Sequence, residues 1–271
     1  MSLAQNTIQT GFTVLQPGIL SLLQDAGRFG QHSIGLTNGG PLDRYSFNWA
    51  NRLCGNDENT CAIEASIGGL SLQAHTDTQI AITGGDARLT INGKPAVPWQ
   101  THTVNSGDKI ALGFSQTASR HYLAVRGGFQ IEPMFGSCST VAREKLGGLN
   151  GSALQAGDNL PCSSNTDTAP TLKLAEAMRP DYSGDITLRV VLGYQQASFD
   201  SIQKARFFSN PFEISDKCDR MGFRLTGSEI KSDISGMLSE GICYGAIQIP
   251  ADGQPIVLLN DRQTIGGYPK I

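Results

Sequence analysis

Short apolar runs, each cut off by glycine, asparagine or aspartate, recur along this chain, and that rhythm limits its fold more than any other feature. "TQIAIT" (78–83) and "ARLTI" (87–91) stand either side of Gly84, Gly85 and Asp86. Asn92 and Gly93 follow at once, and "DKIALGF" (108–114) and "HYLAVRG" (121–127) continue the style. Runs of strand length, bounded by residues that tolerate positive φ, read as strands joined by tight turns. Glycine supplies 32 of the 271 residues, about 12% against about 7% in average proteins. A β meander is expected over 78–127.

Helix signals are few. In "GGPLDRYSFNWANRLCGN" (39–56) Pro41 suits a first helical turn, Leu42, Tyr45, Trp49 and Leu53 fall on one face, and Gly55 supplies the stop. A second helix is expected over 199–208 with Ser198 as cap, and a third over 172–178, before Pro180. Residues 162–186 collect Ser, Thr, Asp and Pro without a sustained apolar period, so a boundary belongs there. The expected organisation is a β-rich subdomain over 1–165, a linker over 166–186 and a second β-rich subdomain over 187–271. The second draws on "TLRVVLG" (187–193), "PFEIS" (211–215), "MGFRLTG" (221–227), "GAIQIP" (245–250) and "PIVLLN" (255–260).

Composition removes several function classes. A net charge of −3 leaves no broad basic surface to follow nucleic-acid phosphates. No apolar run reaches membrane-spanning length and the N-terminus lacks a secretory signature, so the expectation is a cytoplasmic protein without nucleic-acid or membrane partners. Six dispersed cysteines without a C-x-x-C pair read as small buried hydrophobes in a reducing compartment. The four histidines, 32, 75, 102 and 121, read as separate turn and strand residues, and no metal site is expected. No P-loop occurs: "GGYPKI" has the wrong spacing and ends on Ile271, where a magnesium-binding hydroxyl would be needed. "EAMRP" (176–180) cannot carry biotin, because Arg179 stands where a carrier has its lysine.

Six polar constellations remain. Asp25 and Arg28 in "DAGRFGQHSIG" (25–35) suit either an ion pair bracing a turn or a substrate contact. Asp43 or Arg44 falls in the first helical turn, where the dipole favours an aspartate, and Asp43 is also a candidate substrate contact. Glu64 lies among apolar residues, a setting that makes a carboxyl an acid or base, although a surface strand edge would also accommodate it. The loop "FGSCSTVAREKLGGLNG" (135–151) combines hydroxyls, amides and Arg143, the equipment for capturing a carboxylate or phosphate. "CDRMGFRLTG" (218–227) offers Asp219, Arg220 and Arg224. Finally, Asp261, Gln263, Thr264, Gly266, Gly267, Tyr268 and Lys270 follow directly on a strand, forming a cradle for an anionic or amide-bearing ligand.

The stretch "SEGICYGAIQIPADGQPIVLLNDRQTIGGYPKI" (239–271) closely resembles the hallmark of the biotin-dependent carboxyltransferase-like family, also labelled allophanate hydrolase subunit 2. The family includes the C subunit of 5-oxoprolinase, the Kip-inhibitor antagonists and a segment of urea carboxylase. "QDAGRFGQHSIG" (24–35), "GGPLDRYSFNWANRLCGN", "EASIGG" (64–69), "GSCSTVAREKLGGLNGSALQAGDNLP" (136–161) and "SDKCDRMGFRLTG" (215–227) are similar to its other motifs. Ile265 stands where the family usually has threonine, and family members continue past the Tyr-Pro-Lys motif, so a truncated second lobe is expected.

The resemblance implies a mainly β fold with a few short helices, built as two cyclophilin-like β-barrel subdomains. It implies a companion subunit resembling the B subunit of 5-oxoprolinase or the Kip inhibitor. The leading activity is that of a hydrolase subunit, ATP-dependent 5-oxoprolinase, opening 5-oxo-L-proline to L-glutamate with ATP as cosubstrate of the complex. Asp261, Glu64 and Lys270 are the expected catalytic residues. Arg143, Gln263, Thr264, Gly266, Gly267, Tyr268 and Asp43 are the expected substrate contacts. The alternatives are carboxyl transfer to urea or a related amide, with biotin carried by another chain, and non-catalytic binding of a Kip-like inhibitor.

Overall fold

The computed structural model describes residues 10–165, 170–234 and 236–271, so part of the expected linker, 166–169, lies outside the described residues. The chain divides into two compact units, one of Met1–Arg28 and Gly39–Gly184, the other of Phe29–Asn38 and Asp185–Ile271.

In the first unit the strands are β1 (Gly11–Pro17), β2 (Leu20–Gln24), β3 (Ala62–Ser66), β4 (Leu70–Ala74), β5 (Thr78–Gly84) and β6 (Leu89–Ile91). They continue with β7 (Lys94–Ala96), β8 (Thr101–Val104), β9 (Lys109–Leu112), β10 (Arg120–Val125) and β11 (Asn159–Pro161). One sheet runs β11-β1-β4-β9-β6-β7 and the other β2-β3-β10-β5-β8, with antiparallel pairs throughout. The meander expected over 78–127 is therefore corrected. Gly84, Gly85 and Asp86 carry the chain from one sheet to the other, because β5 pairs with β8 and β10 while β6 pairs with β7 and β9. Asn92 and Gly93 do make a hairpin turn, between β6 and β7, with φ of 53° and 75°.

Alternation along the strands explains why two layers form. Ile80 and Ile82 of β5, Ile63 and Ala65 of β3, and Leu123 and Val125 of β10 join Phe12, Val14, Leu72 and Ile110 of the other sheet in one core. The intervening residues Ala62, Ala81, Tyr122 and Ala124 point the other way and pack on helix α1 (Arg44–Leu53) through Phe47, Ala50 and Leu53. Both faces of this sheet are thus covered.

Helix α1 corrects the expected apolar face. Its buried residues are Ser46, Phe47, Ala50, Asn51 and Leu53, whereas Tyr45 is 42% exposed and rests on Trp49 and Trp99. Two of the core-facing residues are polar and satisfied locally: Asn51 donates to the Thr60 carbonyl, and the Ser46 hydroxyl bonds Asp43. Asp43 is the N-cap, accepting from the Ser46 amide at 3.0 Å, so Pro41 precedes the helix and lies outside its first turn.

The second unit holds α2 (Ser201–Ser209), β12 (Phe212–Ile214), β13 (Gly222–Gly227), β14 (Glu240–Gly241), β15 (Ile247–Gln248), β16 (Ile256–Leu258) and β17 (Ile265–Gly266). One sheet runs β12-β13-β16-β15, and β14 pairs with β17. Small apolar clusters, Phe199/Ile230/Ile249/Ile271 and Ile242/Ile256/Leu258, hold it together.

Three further expectations fail. The α2 cap is Asp200, whose carboxylate takes the Gln203 amide at 2.8 Å, and not Ser198. Residues 172–178 form no α-helix: Lys173 bridges to Gln100, and Glu176–Met178 make a 3₁₀ turn. "TLRVVLG" (187–193) forms no strand: Leu188 is 80% exposed and Val191 93%, because no neighbouring strand among the described residues completes its backbone hydrogen bonds. Of the cysteines, 54, 61, 138 and 162 are buried as expected, but Cys218 is half-buried and Cys243 exposed. The fold is mainly β with a few short helices, as expected, and the barrel-like sheets stay open at their edges among the described residues. No helix among the described residues is long and apolar enough to cross a membrane.

Candidate functional site

Glu64 lies in β3, between β2 and β10, and is 1% exposed, so it is no edge residue. Period-two alternation puts it on the helix side of the sheet, directly opposite Tyr122 in register. Its carboxylate accepts the Tyr122 hydroxyl at 2.7 Å and the Leu42 amide at 2.9 Å, with the Arg120 guanidinium 3.6 Å away. Tyr122 in turn accepts the Asp43 amide at 2.8 Å. Burial, reinforced by the Glu64 charge, pushes the Tyr122 phenol well above its ordinary pKa and keeps it a donor. Asp43 also accepts the hydroxyls of Ser46 and Tyr182. Burial and the Asp43 bond raise the Tyr182 pKa as well. The two carboxylates thus fasten the start of α1.

The hydroxyls and an amide of the loop expected to capture a ligand carboxylate or phosphate are taken by the chain's own Asp25. Asp25 accepts the hydroxyls of Ser137 and Ser139 at 2.6 and 2.7 Å and the amides of Cys138 and Gly27 at 2.7 and 2.9 Å. Arg28, fully buried, donates to the carbonyls of Met134, Ser137 and Ser139. Gly147 completes this knot: a Cβ there would lie 2.0 Å from the Ser139 carbonyl oxygen. Arg143 sits apart in a 3₁₀ turn with its side chain 46% exposed, 3.9 Å from Glu144.

The closing motif lies in the second unit. Asp261 is 5% exposed and makes a bidentate pair with Arg220, at 2.9 Å to Nε and 3.1 Å to Nη2, while its amide donates to the Arg220 carbonyl. Lys270 is 8% exposed and donates to Glu240 at 2.6 Å. That bond holds the Glu240 carboxyl below its usual pKa. Gln195 donates to the same carboxylate at 3.0 Å. Thr264 offers its carbonyl to the Ile242 amide, and Gly266 pairs with Glu240 across β14 and β17.

Beside these pairs is a cavity of about 240 Å³ whose wall includes Lys217, Arg224, Gln248, Gln263 and Tyr268. It unites two expected substrate contacts, Gln263 and Tyr268, with Asp219 and Arg224 of the "CDRMGFRLTG" constellation and with Lys217 and Gln248, which the sequence did not single out, and Asp261 and Lys270 adjoin it along the chain. Glu64, Asp43 and Arg143 belong to the first unit. That unit has its own cavity of about 670 Å³, walled by Trp99, Arg88, Arg179 and Tyr182 and by none of the expected catalytic residues. Sequence reasoning named Arg220 but missed Glu240 and Gln248. Gln248 had one signal, a polar side chain inside the apolar run "GAIQIP".

The model of the family described as carboxyltransferase domain, subdomain A and B, matches residues 34–271. The chain belongs to that family. Among curated relatives, this carboxyltransferase-family chain is 34% identical to the C subunit of 5-oxoprolinase from Escherichia coli K12, over 95% of its own length and 82% of the relative. It is 33% identical to the corresponding 5-oxoprolinase subunit of Haemophilus influenzae, over 92% and 79%. Among solved structures, the urea amidolyase of K. lactis matches with a TM-score of 0.87 at 28% identity, over 98% of this chain but 17% of that much longer protein.

Proposed function

We propose that this chain is a subunit of an ATP-dependent 5-oxoprolinase, opening the lactam of 5-oxo-L-proline to L-glutamate together with a companion like the B subunit of that enzyme. The observation that carries this reading is the 34% identity to the C subunit of a 5-oxoprolinase across nearly the whole chain. The small polar cavity of the second unit supports it. At about 240 Å³ it falls below the range of drug-sized sites, and it suits a ligand of a few ring atoms. On the cavity wall Lys217 and Arg224, with Asp219 between them in the chain, take a substrate carboxylate, and Gln263 and Tyr268 take the amide; Thr264 and the Gly266-Gly267 turn, next to these two in the chain, complete the amide contacts in this reading.

In this reading Asp261 and Lys270 orient the cavity wall through Arg220 and Glu240. Glu64 and Asp43 hold α1, and Arg143 is a surface anion contact. An unstrained lactam is a poor electrophile, and ATP held by the complex supplies the activation. A second reading, carboxyl transfer to urea or a related amide with biotin on another chain, draws support from the fold match to urea amidolyase. A non-catalytic partner of a Kip-like inhibitor is the remaining case.

The deciding experiment is to co-purify the chain with its companion subunits and measure ATP-dependent glutamate formation from 5-oxoproline. Turnover is expected. No turnover from a complete, assembled complex sinks the leading reading, and biotin-dependent carboxylation of urea would replace it.

A further inference from the structure

Gln248 closes β15 and lines the second unit's cavity, yet it is 5% exposed and its Nε2 has no hydrogen-bond partner among the described residues. Leaving a buried amide donor unmade is costly, and an apolar side chain at this position would avoid that cost. The carboxamide is therefore unexplained by the fold, and its surroundings are shaped to admit it. A Cβ at residue 266 would lie 2.7 Å from Gln248 Nε2 and 2.4 Å from Ile242 Cδ1, so the glycine at 266 leaves the space that the amide occupies. The Gln248 backbone is pinned on both sides, paired with Ile256 and bridged to Lys270. Its terminal torsion is broad and two-fold, so the amide turns into the cavity without moving the strand.

A carboxamide presents an N–H donor and a carbonyl acceptor side by side. Its two-point complement is another cis amide edge, which a lactam or a urea has and a trans peptide lacks. A carboxylate offers acceptors alone and finds its match in Lys217 and Arg224 on the same wall. We infer that Gln248 reads the substrate's cis amide, donating from Nε2 to its carbonyl oxygen and accepting from its N–H. The identity of that amide as 5-oxoproline rests on the proposed function; the amide chemistry does not.

Two arms test this. In the reconstituted complex, Gln248→Met, close in volume, is expected to lower kcat/KM for 5-oxoproline at least about tenfold through KM, while the thermal midpoint of the free chain holds or rises. An unchanged KM overturns the assignment. In the free ¹⁵N-labelled chain, the Gln248 side-chain amide signal is expected to move further with 2-pyrrolidinone than with cyclopentanone, which has the carbonyl but no N–H. Equal or absent shifts overturn it independently of turnover. A responding Gln248 in a complex that does not open 5-oxoproline would discard the proposed substrate and leave the amide reader standing.

Discussion

His121 sits in β10, 1% exposed, with its Nε2 lacking a hydrogen-bond partner among the described residues. Burial pulls its pKa from 6.5 down to about 4. The Asp86 carboxylate opposes that shift and the neighbouring Arg120 guanidinium adds to it. Because the native pKa lies below the unfolded one, the unfolded chain binds the proton first as the pH falls. No stability is lost above about pH 6.5, and the loss is complete below about pH 4. At about 1.4 kcal/mol per pH unit the full loss is about 3 kcal/mol, with about 2 kcal/mol gone by pH 5. The measurement is urea unfolding at pH 7.5, 6 and 5, followed by tryptophan fluorescence. Both tryptophans, Trp49 and Trp99, lie in the first unit and report on it alone. Carboxylates elsewhere also titrate, so the comparison is with His121→Gln, whose stability should fall less over the same interval by that amount. Equal pH dependence in the two proteins, or a native His121 signal titrating near 6.5 by NMR, would refute the reasoning.

Two other substitutions separate bracing from chemistry. Asp261→Ala removes the bidentate partner of a buried guanidinium and is expected to destabilise the second unit by about 3–5 kcal/mol. The pair Asp261→Leu with Arg220→Met should regain most of that by thermal unfolding without regaining activity; restored turnover would remove the pair from the site. Asp25→Ala strips the acceptor from two hydroxyls and two amides and should cost about 3 kcal/mol or more. Hydrogen exchange would register the loss as lowered protection at 137–139, and unchanged protection would contradict the role assigned to Asp25.

Much of the fold was legible because its signals are local. The Asn92-Gly93 turn needs positive φ at both positions, and the helix expected within 39–56 forms as Arg44–Leu53. Expectations failed wherever a distant partner decided. Residues 84–86 look like a hairpin turn but change sheets, since strand pairing is settled by neighbours far along the chain. "TLRVVLG" has a strand's composition and no ladder, because a strand's hydrogen bonds lie outside itself. The helix face was misjudged because Ser46 and Asn51 satisfy their polar groups in place and so tolerate burial.

The site divides along the same line. The residues of the closing motif, their types and their place after an apolar strand, are properties of the sequence, as is the family they mark. Only tertiary structure decided their partners: Arg220 reaches Asp261 across 41 residues, Glu240 reaches Lys270 across 30, and Gln248 is left with an unmade bond beside the cavity. The chemical identity of a side chain travels with the chain. Whether its charge or donor is already consumed depends on which groups folding brings within about 3 Å, the range over which hydrogen bonds and close ion pairs act.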